Sequence, residues 1–352
     1  MQLFFRGKNL NIFILHRPFQ LMVAQLIIKQ YINHNTNSNV LFFEGNIPEQ
    51  LIEGSLWAEV NQIGYCDTIL KGTKNTIEML HSNVLKMTLG SGRDSIVSLY
   101  ISDIAWATNN RLFFSRELSN RVNYNILCDG IGTYTDPGQS YYHKFRNLVK
   151  MTMGYLGMSA RYTCYPGRLM GMDHKNIKGI FCFRPELIEG MYPNNALYPI
   201  DFGSLGDSQF DEGSRGACLF LDQPYKEYIR SDEWTTLRQD TVNYIQSKSY
   251  TDVFYKKHPA CHINYHQDLF GINLKIITGD EPIESVMQNW QFKEVISYSS
   301  TALLNIKLMY GDAVIVTSLY SNRLNKVGAS GGNYRRSIKE IFERVGVVVV
   351  EG

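Results

Sequence analysis

Leu10-Asn11-Ile12-Phe13-Ile14-Leu15, the loop His16-Arg17-Pro18-Phe19, the run Gln20 to Ile32, and then Val40-Leu41-Phe42-Phe43 decide the fold. The first run reads as a strand. Gln20–Ile32 has helical apolar spacing, with Leu21, Ala24, Leu26, Ile27, Ile28 and Tyr31 in register. Asn33–Asn39 is a polar turn, and Val40–Phe43 is the next strand. Strand, helix, strand in that order opens a doubly wound parallel sheet. No G-x-G-x-x-G follows the first strand, so a dinucleotide fingerprint is lacking.

Working outward, Ile96–Ile101 and Ile126–Cys128 read as further strands, with a polar segment around Asn109–Asn120 between them. His143–Met158 reads as a helix with Phe145, Leu148, Val149 and Leu156 on one face and Lys144, Arg146 and Lys150 nearby. A membrane-surface role is one reading, and a solvated helix lying over the sheet is the preferred one. Thr163–Ser214, rich in Gly, Pro, Tyr and Asn, reads as a loop-heavy insertion running into a linker. Ala217–Leu221 restarts the pattern. Helices are expected over Asp232–Gln246, Ile283–Asn289, Thr301–Met309 and Asn333–Arg344. Strands are expected at Thr251–Tyr255, Leu274–Ile277, Glu294–Ser297 and Ala313–Thr317, with Val347–Val350 a last strand or tail. The chain is a two-domain α/β protein on this periodicity: 1–215, 216–331 and a terminal helix and tail over 332–352.

A chain of 352 residues suits two domains. The net charge of +2, without a long basic run, gives no argument for nucleic acid. The 22 tyrosines could stack on sugar rings, although amphipathic packing explains any single one better. Six scattered cysteines (Cys66, Cys128, Cys164, Cys182, Cys218, Cys261) form no C-x-x-C pair, which fits reduced thiols in the cytoplasm. Leu10–Leu15 is too short for a signal peptide, and no stretch approaches the roughly 20 apolar residues of a membrane span.

Three strand ends carry chemistry. Asp129 follows the apolar Ile126-Leu127-Cys128 and precedes Gly130-Ile131-Gly132, a placement that suits a general base and equally a turn aspartate. Thr251–Tyr255 ends in Lys256-Lys257-His258-Pro259, a cationic, proton-donating ledge. Its histidine could donate a proton, pair with a phosphate, or simply bond to nearby backbone. Ser299-Ser300-Thr301 lies between a strand and the helix beginning at Ala302, where hydroxyls and backbone N–H groups make either an anion site or an ordinary N-cap. Two other patterns are weaker. His258, His262 and His266 are four apart, but Pro259 breaks any helix that would align them on a metal. Asp211-Glu212-Gly213 has no strand before it and reads as a solvated loop.

In this order, Cys128-Asp129-Gly130, His258-Pro259 and Ser299-Ser300 resemble the signature of bacterial GT-B sialyltransferases, closest to the lipooligosaccharide sialyltransferase and polysialyltransferase families. That signature is an acidic-acidic-Gly motif, a His-Pro motif and a Ser-Ser or Ser-Thr pair. Phe19-Gln20 leading into Ala24–Ile28 is similar to the opening of those families. The resemblance implies a GT-B-like fold, two Rossmann-like domains facing across a cleft, with the acceptor on the first and the CMP-sugar on the second. It makes Asp129 the base and His258 the residue that protonates or neutralises the departing phosphate. Ser299, Ser300, Pro259, Lys257 and, through its likeness to Pro282-Ile283-Glu284, Glu284 would hold the donor. Gly130 and Gln20 fall on the acceptor side. The departure is Cys128, where the families have their first acid.

The expected activity is therefore inverting transfer of sialic acid from CMP-sialic acid to a terminal galactose of a bacterial surface glycan such as lipopolysaccharide, with α2,3 linkage. No cofactor or metal is expected, because histidine, lysine and a helix N-terminus can stabilise one phosphate. The protein would be cytoplasmic, with peripheral association at the inner membrane through Lys144–Lys150 or the Asn333–Arg344 helix as a further expectation. The rivals are a polysialyltransferase or other CMP-sugar transferase, a non-catalytic sugar- or nucleotide-binding protein, and a metal-dependent hydrolase.

Overall fold

The computed structural model describes residues 8–45, 47–64, 71–92, 94–202, 216–227, 229–258, 261, 265–279, 283–290, 292–320 and 331–351. Pro259, His262, Pro282, Cys66 and Asp211–Gly213 lie outside the described residues. The chain divides into two compact units, Met1–Asp201 and Phe202–Gly352.

In the first unit, β1 (Asn9–Leu15), α1 (Pro18–Tyr31) and β2 (Asn37–Glu44) form the expected β-α-β opening. The sheet continues with β3 (Glu59–Ile63), α2 (Lys71–Gly90), β4 (Val97–Ile101), α3 (Ala107–Phe113), β5 (Val122–Leu127), α4 (Ile131–Thr135), α5 (Tyr141–Tyr155), β6 (Ile177–Cys182) and β7 (Ala196–Pro199). Its strand order is β3-β2-β1-β4-β5-β6-β7, with every pairing parallel. Leu10, Ile12, Phe13, Ile14 and Leu15 are fully buried. That is why the strand reads as an apolar run: a parallel strand covered by helices has no solvent face. Phe13 stacks on Tyr100 of β4 at 4.4 Å, tying the two strands at which the order reverses.

The second unit contains β8 (Cys218–Leu221), α6 (Ser231–Gln246), β9 (Val253–Lys256), β10 (Leu274–Ile276), α7 (Ile283–Asn289), β11 (Glu294–Ser297), α8 (Thr301–Tyr310), β12 (Ile315–Tyr320), α9 (Gly331–Val345) and β13 (Val348–Glu351). Its parallel order, β10-β9-β8-β11-β12-β13, again reverses beside the unit's first strand. In such sheets the ligand crevice opens at the carboxyl ends of the strands flanking that reversal.

Three expectations need correction. Thr163–Ser214 is not a loop-heavy insertion throughout, since β6 and β7 extend the first sheet. Ile177–Cys182 is apolar enough for a strand, but a glycine in it and a proline closing β7 hide the pattern. The polar segment around Asn109–Asn120 contains the end of α3, whose Asn109 and Asn110 are buried. Finally, α5 does not lay its apolar face on the sheet. Phe145 is 66% exposed, and Leu148 and Leu156 are exposed as well. Asn147 and Gly154 are its buried residues instead.

Candidate functional site

At the first sheet, the carboxyl ends of β1, β2, β4 and β5 gather His16, Glu44, Asp103 and Asp129. Asp129 stands just past β5. Gly130, with a φ of 69°, turns the chain there into α4 through the left-handed region that only glycine enters cheaply. The Asp129 N–H donates to Thr133 Oγ1 at 2.9 Å, so the turn is closed by the first residues of that helix. The carboxylate is held on both oxygens. Gln20 Nε2 donates to Oδ1 at 2.8 Å, and Arg17 Nη1 lies 3.7 Å from Oδ2. Arg17 is largely exposed, whereas Gln20 is fully buried.

The orientation of the Gln20 amide is fixed from behind. The His16 backbone N–H donates to Gln20 Oε1 at 2.7 Å, and an N–H can only donate, so the amide NH2 must face Asp129. The His16 ring is buried in turn. Its Nδ1 is 2.8 Å from Glu44 Oε1, its Nε2 is 3.2 Å from Asn109 Oδ1, and its face stacks on Trp106 at 4.6 Å. Asp103, just past β4, accepts N–H bonds from Ala105 at 2.7 Å and Trp106 at 2.9 Å. Burial raises the Asp103 carboxyl above its ordinary range. The Trp106 N–H works against the rise and the Asp129 charge adds to it.

Cys128, the departure from the acidic pair, is fully buried beside Asp129. Its thiol donates to the Gly130 carbonyl at 3.9 Å and the Tyr134 hydroxyl at 4.0 Å, and burial pushes it up to about 11. This position serves the core, while Asp129 beside it is partly exposed.

At the second sheet, β9 and β11 flank β8, so the segments following them leave the same edge roughly 10 Å apart. His258 and Lys257, both half-buried, follow β9; Ser299 and Ser300 follow β11. Lys256 is buried and donates to the Gly279 carbonyl at 3.1 Å. Ser300 is the N-cap of α8, its hydroxyl accepting from the Ala302 N–H at 3.2 Å. Ser299 Oγ lies 2.5 Å from the Tyr225 hydroxyl. Of the two readings of the serine pair, Ser300 takes the N-cap, and Ser299 precedes it. Glu284, in the first turn of α7, is buried and accepts from Asn305 Nδ2 at 2.8 Å; burial raises its carboxyl.

Beneath this edge, Asp222 follows β8 and is buried against Arg238, with Nη2 to Oδ2 at 2.6 Å, and the Tyr255 hydroxyl at 2.5 Å. The Arg238 guanidinium also donates to the Tyr298 hydroxyl and lies over the Trp234 ring, 4.1 Å from its centroid. Of the histidine triplet, His266 opens a 3-10 turn, with its ring 5.9 Å from that of Tyr255. Among the described residues no group of three or more His, Cys, Asp or Glu side chains is placed to hold a metal ion, and none of their helices is long and apolar enough to cross a membrane. The described cysteines are free thiols.

The residues that sequence reasoning missed are His16, Glu44, Asp103, Asn109, Asp222, Arg238 and Tyr225. His16, Asp103 and Asp222 each follow an apolar strand, the same signal that picked out Asp129.

A family model described as Alpha-2,8-polysialyltransferase (POLYST) matches residues 11–319. Among solved structures, the chain is similar to a sialyltransferase from Photobacterium damsela, with a TM-score of 0.55 and 13% identity over 98% of this chain and 81% of that one. It is also similar to the UDP-GlcNAc 2-epimerase from Neisseria meningitidis bound to UDP-GlcNAc, with a TM-score of 0.51 and 9% identity over 96% of this chain and 94% of that one. These likenesses show the GT-B fold. No curated protein matches by sequence.

Proposed function

We propose that this chain, which belongs to the alpha-2,8-polysialyltransferase family and is a GT-B sialyltransferase, moves sialic acid from CMP-sialic acid onto the terminal sialic acid of a glycan, with inversion and without a metal ion in the step. The observation that carries the base assignment is the Asp129 carboxylate. It sits, partly exposed, at a strand end beside a left-handed glycine, with one oxygen held by an amide that cannot flip. Asp129 takes the proton of the acceptor hydroxyl as that oxygen attacks the anomeric carbon. The bond from that carbon to the CMP phosphate breaks, and His258 protonates or neutralises the leaving phosphate. Lys257, Ser299 and Ser300 surround the same phosphate, and Glu284 and Pro259 serve the rest of the donor. One displacement inverts the anomeric centre.

The family supports α2,8 extension, and Arg17 is a cation beside Asp129 suited to an acceptor carboxylate. A second reading, transfer to a terminal galactose with α2,3 linkage, is favoured by the acids behind that edge, Glu44 and Asp103, which do not repel a neutral sugar. Release of CMP from CMP-sialic acid, measured with α2,8-linked sialic acid oligomers and with galactosides, decides between them. Release that requires the oligomer and disappears in Asp129→Ala is the expected result. Release driven by galactosides alone selects the second reading, and CMP binding without release by either acceptor overturns both.

A further inference from the structure

α5 is built inside out. A surface helix normally buries its apolar stripe and exposes its charges. Here the helix docks through a small residue and a polar one. A Cβ on Gly154 would lie 2.9 Å from the Ala160 carbonyl oxygen, so the backbone there approaches too closely for any side chain. Asn147 donates to Gln139 and accepts from the Tyr162 hydroxyl at 3.2 Å. The consequence is that Tyr141 (92% exposed), Phe145, Leu148, Tyr155, Leu156 and Met158 all face outward. Lys144 and Arg146, both exposed, interleave with them, while Lys150 lies over the buried Tyr162 ring, and no Asp or Glu occurs between Asp136 and Asp173.

We propose that this face of α5, with the turn after it, docks on an anionic phospholipid bilayer. The occupant follows from the chemistry. Aliphatic groups such as Leu148, Leu156 and Met158 gain nothing from a soluble polyanion but lose water in the acyl boundary. Tyr141 and Tyr155 have the apolar body and polar tip that favour the headgroup level. Cations without a neighbouring acid are attracted to an anionic leaflet. A second copy meeting the same face would set cations against cations, which disfavours a symmetric dimer. The surface is independent of the acceptor and donor chemistry, so it goes beyond the proposed reaction and its test does not rely on it.

Co-sedimentation of the full chain with phosphatidylcholine vesicles, with and without phosphatidylglycerol, tests this. Binding is expected with the anionic vesicles and is expected to weaken in high salt. Phe145→Ser/Leu156→Ser should lower it by at least roughly tenfold, and Lys144→Gln/Arg146→Gln by roughly fivefold per cation removed. Circular dichroism and the thermal midpoint of both variants should match those of the parent, since the substituted side chains are exposed. Failure of the parent chain to sediment overturns the proposal. So does a dependence on the cations alone, which would mark a site for a soluble polyanion, or a concentration-dependent dimer abolished by the apolar pair without vesicle binding.

Discussion

Both sheets carry an aspartate just past the end of a central strand, and the two are used in opposite ways. Asp129 in the first unit is partly exposed, with a neutral amide on one oxygen and a loosely placed, exposed arginine near the other. Asp222 in the second is buried and closed off by Arg238 and Tyr255. On the proposed reaction, the difference follows from what each edge would meet. An edge that takes a proton from a hydroxyl needs a carboxylate within reach. An edge that receives a phosphate must not present a carboxylate, so the acid is neutralised below while Lys257, His258 and Ser299 stand half-buried at that edge.

The sharpest way to break that contrast is to remove each acid in turn. Asp129→Asn should lower kcat for CMP release by about 10²–10⁴-fold while leaving the thermal midpoint unchanged. An active variant would remove Asp129 as the base. Arg238→Met should instead cost about 3–5 kcal/mol of stability, read from the urea midpoint, because it strands the Asp222 charge among buried rings. Wild-type stability in that variant would mean the two aspartates do not differ as described.

A third buried carboxylate sharpens the point. Asp136 in the first unit accepts from the Met170 N–H at 2.7 Å and from the Tyr192 hydroxyl at 3.1 Å. Arg168 bonds to its backbone carbonyl at 2.6 Å instead of to the carboxylate. Burial pushes its carboxyl from 3.8 up to about 7, against the pull of those donors. Between these values the folded state keeps a proton that the unfolded chain has lost. Stability should therefore fall as pH rises from about 4 to about 7, by up to about 4 kcal/mol, and be level above. Asp136→Asn, which mimics the protonated carboxyl, should remove most of that slope in urea titrations at several pH values. An unchanged slope would show that another group titrates.

The parts of this molecule that were legible in the sequence are those determined locally. β1, β8 and β11 are short runs with both faces covered, and Asp129, His258 and Ser299-Ser300 each follow a mostly apolar strand. α2 was missed because its buried stripe mixes His81 and Thr88 with Ile77, Leu80, Val84 and Met87, which blurs the period. The support of the site was missed for another reason. His16 finds Glu44 28 residues away and Asn109 93 away, and Gln20 finds Asp129 109 away. No local pattern announces such pairs. In α5 the spacing showed which residues share a face, but the choice of which face turns inward was made by Gly154 and Asn147, through contacts with Ala160 and Tyr162.

The smallest expected effect tests whether the amide matters to the base as well as to the fold. In Gln20→Ala, Asp129 loses its N–H donor and the buried His16 N–H loses its acceptor, so stability should drop by about 1–3 kcal/mol. The kcat should fall about tenfold with KM little changed, because an acceptor that never touches Gln20 still binds. Gln20→Glu separates the two roles. Its carboxylate can still accept the His16 N–H, which restores much of the stability, but it sets a like charge against Asp129 where a donor had been. Activity should therefore be lower in Gln20→Glu than in Gln20→Ala even though the fold is firmer. If activity instead follows stability across the pair, Gln20 merely fills space. A rise in KM without a change in kcat would make it an acceptor contact, as the family resemblance implied, and would weaken the view of the first edge as an acid oriented from behind.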